Sequence, residues 1–160
     1  MKNVKKVTAA LLLTLCSVFF FSCSKDKDPE PKQLTPGETL ASTPWETTNA
    51  RNNKGEKVVL SDANVSNFVG FAYFKADGTF TMYNLDDSPK MHGDWTVSAD
   101  GKTRTVVAKD ADGKVLFTRV VDITVLTKLE FTYRIYPNAN DKTVYFDIIH
   151  TPTTHAEPKK

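Results

Sequence analysis

Apolar and polar residues alternate with a period of two over most of the chain beyond residue 40. The alternation is clearest in four segments, residues 79–83, 91–98, 129–136 and 144–150. A period of two places one set of side chains on a buried face of a strand and the other set on an exposed face. No stretch of this region has the period of an amphipathic helix. The pattern therefore predicts an all-β domain.

Turn signals separate these segments. Asp-Gly pairs stand at residues 77–78, 100–101 and 112–113, and a looser turn is expected at residues 137–140. Asp-Gly favours the positive-φ turns that close β-hairpins. The spacing predicts an antiparallel meander of seven to nine strands. An open sheet of that size would leave unpaired edges, so we expect an up-and-down barrel of about eight strands over residues 38–151.

The first 22 residues have the organisation of an export signal. Residues 1–6 are basic and residues 7–22 are apolar and uncharged. That apolar stretch is shorter than the roughly 20 residues that a membrane-spanning helix needs. It ends in Phe20-Phe21-Ser22-Cys23, which resembles the lipobox of bacterial lipoproteins. We expect residues 1–22 to be a lipoprotein signal peptide and Cys23 to carry the lipid; the alternative is an ordinary thiol at Cys23.

A polar segment joins the predicted anchor to the domain. Residues 24–37 contain three prolines and six charged residues and little that could enter a core. Such a composition predicts a flexible tether over residues 23–37 that holds the barrel away from a membrane. The expected location is the outer membrane, facing the periplasm or the cell surface. Residues 152–160 follow the barrel as a polar C-terminal tail.

Composition argues against several classes of function. The 21 basic and 19 acidic residues nearly balance, and no basic cluster follows residue 6, so nucleic-acid binding is not indicated. Cys16 and Cys23 both lie in the N-terminal segment, which excludes a disulfide scaffold or a cysteine zinc site in the domain. The sequence has no phosphate-binding glycine loop and no nucleophile motif, and no cofactor is predicted.

Four short motifs, taken in order, carry a family resemblance. They are LASTPW at residues 40–45, FKADGTF at 74–80, HGDW at 92–95 and VDITVLTKL at 121–129. Together they resemble the small lipocalin-like lipoproteins of Gram-negative bacteria, over roughly residues 38–150. In detail the chain is most similar to a subgroup known only as a domain of unknown function. The resemblance implies a calycin-like up-and-down barrel and transfers no ligand-binding residues.

Aromatic residues on the predicted inward faces are candidates for lining a ligand cavity. The principal candidates are Phe80, Trp95, Phe131, Tyr133 and Phe146, with Phe71 and Tyr73 as further members. The same rings are large enough to fill an eight-stranded barrel, so a ligand cavity and a packed core both stay open. Trp45, at the start of the first predicted strand, is expected to plug one end of the barrel.

Three arginines lie on different predicted strands. Arg104, Arg119 and Arg134 would bind an anion if they converged inside the barrel, because a guanidinium presents a planar fork of donors. The alternative is that they point outward and pair across strands with residues such as Asp122 and Asp147.

The C-terminal segment holds the weak candidates for metal binding or catalysis. His150, His155 and Glu157 lie close together in the sequence, and His92 could supply a further ligand. General acid–base chemistry by His150 with Asp147 is a second possibility, although their spacing puts them on opposite faces of a strand. The alternative is a satisfied histidine at a strand end, followed by a polar tail.

Three interpretations of function follow. The first is a lipid-anchored, non-enzymatic barrel that binds a small, partly apolar molecule. The second is a structural or interaction lipoprotein with a filled barrel that displays loops to an unknown envelope partner, with residues 85–90 as the contact to test. The third is a metal-dependent or histidine-dependent enzyme at the C-terminal mouth.

Overall fold

The computed structural model describes residues 33–159. This part of the chain contains a short helix, a 3₁₀ turn and nine strands. The helix α1 spans Pro36–Leu40 and the 3₁₀ turn spans Ser66–Phe68. The strands are β1 (Trp45–Asn52), β2 (Lys57–Val58), β3 (Phe71–Phe74), β4 (Thr79–Tyr83), β5 (Pro89–Val97), β6 (Thr103–Lys109), β7 (Val115–Leu126), β8 (Phe131–Ile135) and β9 (Phe146–Pro152).

Eight of these strands close into an antiparallel barrel. From β3 to β9 each strand pairs with the next one in the sequence, and β1 pairs with both β3 and β9. The closing pair runs from Trp45 opposite Pro152 to Asn52 opposite Phe146. Strand β2 lies outside the closed set and pairs with the end of β1. The predicted all-β, up-and-down barrel of about eight strands is therefore confirmed.

The predicted Asp-Gly turns join consecutive strands. Gly78, Gly101 and Gly113 have φ angles of 86°, 72° and 81°, in the left-handed region that glycine adopts without a steric penalty. They connect β3 to β4, β5 to β6 and β6 to β7. Because these turns set the register of each hairpin, the alternation of inward and outward side chains follows from them.

The helix α1 closes one end of the barrel, which we call the base. Thr35 and Glu38 form a reciprocal capping box, in which each side chain accepts a hydrogen bond from the other residue's backbone. Leu40 at the end of the helix is fully buried, and its carbonyl accepts a hydrogen bond from Trp45 Nε1 at 2.8 Å. The predicted plug at Trp45 is confirmed, and the helix begins inside the segment that was predicted to be tether.

The connection between β2 and β3 covers the opposite end, which we call the mouth. We call residues 59–70 of this connection the mouth segment. Its Val65 is fully buried, and the ring of Phe68 packs edge-on against Tyr133, with centroids 6.4 Å apart. Lys90 Nζ, at the start of β5, donates to the carbonyl of Val69 at 2.6 Å. The two ends of the barrel are thus covered by different elements.

Gly93 is the point at which β5 approaches β6 most closely. Its φ is +153°, and a β-carbon added there would lie 1.9 Å from the carbonyl oxygen of Val107. No side chain fits in that space, so glycine is required for the two strands to stay paired.

We expect Gly93→Ala to destabilise the barrel by at least about 2 kcal/mol, because the added methyl must push β5 away from β6. Gly113→Ala is the matched control: φ is +81°, but nothing lies within 4 Å of the new β-carbon. Its cost is limited to left-handed strain of about 1 kcal/mol. Urea unfolding of both variants measures the difference, and equal losses would contradict the close approach.

A cationic cavity at the mouth of the barrel

The barrel interior is packed at the base and leaves a cavity near the mouth. The cavity has a volume of about 30 Å³, which is room for about two water molecules. It lies beneath the mouth segment and is lined by residues from that segment and from all eight strands of the barrel. The polar lining residues used below are Thr47, Lys90, Arg104, Arg119, Tyr133 and His150.

Arg104 is the most deeply buried charged residue lining the cavity. It lies on β6 with 3% of its surface exposed, and burial lowers its pKa. Its guanidinium carbon lies 4.5 Å from the ring centroid of Tyr133 and 5.3 Å from that of Phe131. The guanidinium lies over the faces of these rings, which is the geometry of a cation–π interaction. Among the described residues, the Nε–H of Arg104 has no hydrogen-bond partner.

Two further cations lie beside Arg104. Arg119 on β7 is a diagonal neighbour, because Arg104 pairs with Val121 and Arg119 stands two residues before it. Burial, with the charge of Arg119 as a second cause, lowers the pKa of half-buried Lys90, and the same charge adds to the lowering of the Arg104 pKa by burial. Among the described residues that line the cavity, no aspartate or glutamate is present. The cavity is therefore bordered by three positive groups without a carboxylate to balance them.

His150 lies on the closing strand pair and connects the cavity to the mouth segment. Its Nε2 is 3.0 Å from the hydroxyl oxygen of Thr47, its cross-strand neighbour on β1. That hydroxyl also lies within hydrogen-bond distance of the carbonyls of Phe68 and Gly70 and accepts from the backbone N–H of Gly70. A hydroxyl that donates to a carbonyl accepts the proton of Nε2, which leaves His150 Nδ1 as a buried acceptor without a partner.

Burial, with the charge of Arg104 as a second cause, lowers the pKa of His150 to about 3. The folded protein therefore binds the proton less readily than the unfolded chain, whose histidine titrates near its ordinary value of 6.5. Since the unfolded state gains the proton first as the pH falls, stability is lost below pH 6.5. This loss of stability on acidification is the behaviour expected of a histidine that is buried in its neutral form.

We expect the free energy of unfolding to fall by about 1.5–2 kcal/mol between pH 6.5 and pH 5, at close to 1.4 kcal/mol per pH unit at the acid end. His150→Gln removes the titrating group and should flatten this part of the curve, whatever its effect on stability at pH 7. Urea unfolding at several pH values measures both slopes. Parallel curves for the two proteins would show that His150 is not the group responsible.

The candidate ligand-lining aromatics divide between the cavity and the packed base. Tyr133 lines the cavity, whereas Phe80, Trp95 and Phe131 pack in the main core with 8% exposure or less, and Phe146 packs against its edge. The sequence did not distinguish these two environments, because all five side chains have the same inward phase.

Phe71 borders the cavity, and it forms a second aromatic cluster with Tyr73 and Tyr83. The C-terminal tail lies against this cluster. The imidazole of His155 stacks on Phe71 with centroids 3.9 Å apart, and its Nδ1 is 2.7 Å from the hydroxyl of Tyr73. The hydroxyl of Tyr83 donates to the carbonyl of Pro158. Burial, with Asp87 and Glu157 nearby, raises the pKa of Tyr73 to about 12. The tail is therefore held along β3 and β4 and does not cover the mouth.

We expect His155→Ala to destabilise the protein by about 1–2 kcal/mol, because it removes a stacked ring and a hydrogen bond to Tyr73. The tail should also become sensitive to limited proteolysis while the barrel stays resistant. Thr154→Ala, at an exposed neighbouring position, is the control and should behave as the wild type does. An unchanged cleavage pattern in His155→Ala would contradict a docked tail.

The weak metal-binding candidates are not brought together. His150 lies inside the barrel, His155 lies on Phe71, and Glu157 contacts Thr81 and Lys75. His92, half-buried on β5, is not grouped with them. In residues 33–159 no group of three or more histidine, cysteine, aspartate or glutamate side chains is arranged to hold a metal ion.

The third arginine and the proposed acid–base partner lie outside the barrel. Arg134 forms a two-point ion pair with Asp147, at 2.8 and 3.0 Å. Asp147 and His150 therefore lie on different faces of β9, as their spacing indicated. Of the three arginines, Arg104 and Arg119 converge and Arg134 forms the cross-strand pair that was its alternative.

A family model described as a domain of unknown function, DUF4822, matches residues 37–159. The chain belongs to this family. No curated protein matches the sequence. The match covers α1, the whole barrel and nearly all of the docked tail, so the family unit and the described fold coincide. The lipocalin-like relationship remains a prediction.

Cys23, the predicted lipid attachment site, lies outside the described residues, as does the predicted signal peptide. Within residues 33–159, no helix has the length and apolar character needed to cross a membrane. Lipid attachment therefore stays a prediction from the sequence of residues 1–23.

Proposed function

We propose that this DUF4822 protein is a lipid-anchored, non-enzymatic binding protein of the bacterial cell envelope, which takes a small molecule into the mouth of its barrel. The observation that carries the proposal is the asymmetry of the interior. The base is filled by aromatic rings and covered by α1, whereas the mouth contains a cavity with buried polar groups that have no partners. Buried polar atoms are normally hydrogen-bonded, so unpaired ones that border a cavity suggest a place for a ligand or for water.

The anchor rests on the sequence. Cys23 follows an uncharged apolar segment and precedes a proline-containing polar tether, which is the arrangement of a protein held on a membrane by lipid. The barrel is the folded domain that follows this tether in the sequence.

Lipid attachment predicts a cysteine-specific chemical result. Wild-type protein expressed in a Gram-negative bacterium should incorporate an alkyne-labelled palmitate, and Cys23→Ser should not. Cys16→Ser is the matched control, because it removes the other cysteine of the same segment, and it should be labelled like the wild type. Labelling that persists in Cys23→Ser would exclude this residue as the attachment site.

The binding function is tested by native mass spectrometry of the protein extracted from membranes in a mild detergent. The expected spectrum contains a mass excess over the lipidated chain. Val106→Leu should reduce it, because it adds a methylene at the cavity wall. Val97→Leu is the control, since Val97 packs against the core but lines neither the cavity nor the neighbouring depression. The bare mass of the lipidated chain in the wild type would contradict the proposal.

A second candidate function is protein interaction, and the outer surface of β7 favours it. Leu116 and Val120 share the outward phase of that strand and are each more than half exposed. Exposed apolar groups on one strand are typical of contact surfaces. The earlier candidate loop, residues 85–90, is partly engaged within the chain, because His155 Nε2 lies 3.2 Å from the carboxylate of Asp87. Under this alternative, Leu116→Ser would reduce partner capture from envelope extracts and leave the fold intact.

A further inference from the structure

The charge arrangement of the mouth cavity indicates the chemistry of its ligand. Arg104 is almost fully buried, it borders the cavity, and its Nε–H has no acceptor. Arg119 and Lys90 border the same cavity, and no carboxylate from the described residues does. An uncompensated buried cation is unfavourable, and two further cations beside it increase the repulsion. A negatively charged ligand would offset both the cost of burying the charge of Arg104 and the repulsion among the three cations.

We infer that the cavity binds the carboxylate group of a small organic acid, with Arg104 and Arg119 as its guanidinium partners and Lys90 as a third positive charge. This inference rests on the proposed binding function and specifies its ligand class. A carboxylate presents two acceptor oxygens in a plane, which match the donor fork of a guanidinium.

Cation–π contacts alone do not complete the environment of Arg104. The rings of Phe74, Phe131 and Tyr133 lie against its guanidinium with centroid distances of 5.5, 5.3 and 4.5 Å. Those contacts stabilise the positive charge but supply no lone-pair acceptor for its N–H groups. The side chain of Tyr133 favours the charged form of Arg104, and the Nε–H has no partner among the described residues. An acceptor in the plane of the guanidinium is the group that is missing.

The size of the cavity limits what can enter it. About 30 Å³ accommodates a carboxylate but not a whole lipid or cofactor. A second depression, of about 250 Å³, lies on the other side of Phe68 and Arg119, which line both spaces. It offers room for the organic part of the ligand, with the carboxylate directed inward past Arg119. Ile135 and Val121 contribute apolar surface to that depression, and Asp122, Arg134 and Lys142 contribute charged groups.

The test measures binding of four probes to the mature lipidated protein by isothermal titration calorimetry, with detergent alone as the blank. Sodium hexanoate is the principal probe, and hexanamide has the same shape without the charge. Sodium acetate supplies the carboxylate without an apolar chain, and sodium phosphate is an inorganic anion. We expect hexanoate to bind at least about tenfold more tightly than hexanamide, because hydrogen bonds to a charged acceptor are stronger than those to a neutral one.

Variants assign the binding to the cavity. Arg104→Met keeps an unbranched apolar stem and removes the guanidinium charge, so it should abolish hexanoate binding and retain or raise thermal stability. Arg119→Gln changes a half-buried residue at the rim and should weaken binding at least about tenfold, which keeps the test valid should Arg104→Met fail to fold. Arg51→Gln removes an exposed guanidinium on β1 that lines neither the cavity nor the second depression, and it should leave the affinity unchanged.

Each other outcome has a defined meaning. Acetate that binds as tightly as hexanoate, with the same dependence on Arg119, supports the carboxylate site. Phosphate that binds while both carboxylates do not, or hexanamide that binds as tightly as hexanoate, overturns the inference. Failure of all four probes also overturns it. If the native mass spectrum then showed a bound neutral molecule, the proposed binding function would stand and only the carboxylate inference would be wrong. If it showed the bare mass of the lipidated chain, both would be wrong.

Discussion

Pairing of β1 with β9 is the constraint on which the rest of this structure depends. Without it the chain would be an open sheet with two unpaired edges and no enclosed interior. Closure gives every inward side chain a place in one small volume, and it brings together residues far apart in the sequence. Thr47 and His150 illustrate this, because they are separated by about a hundred residues and hydrogen-bond across the closing pair. The same contact reaches the mouth segment, so closing the barrel and covering the mouth are linked.

The interior of the barrel is packed differently at its two ends. At the base, Trp45 is buried beneath α1, and its indole nitrogen is satisfied by the carbonyl of Leu40. The core there consists of rings and aliphatic groups with no unpaired polar atom among the described side chains. Near the mouth, the two unpaired atoms of Arg104 and His150 lie among residues that line a cavity. Polar groups without partners are costly in a dry interior. Because the two unpaired atoms lie near the mouth, this is the end of the barrel whose packing is not optimised for stability.

The strands and turns were predictable because their signals are local. A period of two and three Asp-Gly pairs determine hairpins within a few residues, and closure follows from the need to pair the edges. The helix α1 was not predicted, since five residues are too short for a hydrophobic period, although the capping pair Thr35 and Glu38 was a usable signal. The position of the tail could not be predicted, because Phe71 and His155 meet only through the tertiary structure.

The candidate site shows the same division. Inward phase identified Tyr133 and His150, but it could not separate residues beside the cavity from those in the base. The three arginines had equal status in the sequence. Their separation depends on strand register: Arg104 and Arg119 occupy the inner face of β6 and β7, whereas Arg134 stands opposite Asp147 on the outer face. Lys90 gave no sequence signal, since its role depends on where β5 begins relative to the mouth segment.

Arg104 links the stability of the barrel to its proposed function. Three rings pack around the guanidinium, so its position is fixed before any ligand arrives. A donor that is already desolvated and oriented does not have to be ordered during binding, which is the main source of affinity in a preorganised site. The same desolvation makes the buried charge unfavourable in the ligand-free protein. An apolar residue in place of Arg104 should therefore raise the stability of the ligand-free barrel and remove the proposed carboxylate binding. A purely structural residue would not change stability and binding in opposite directions.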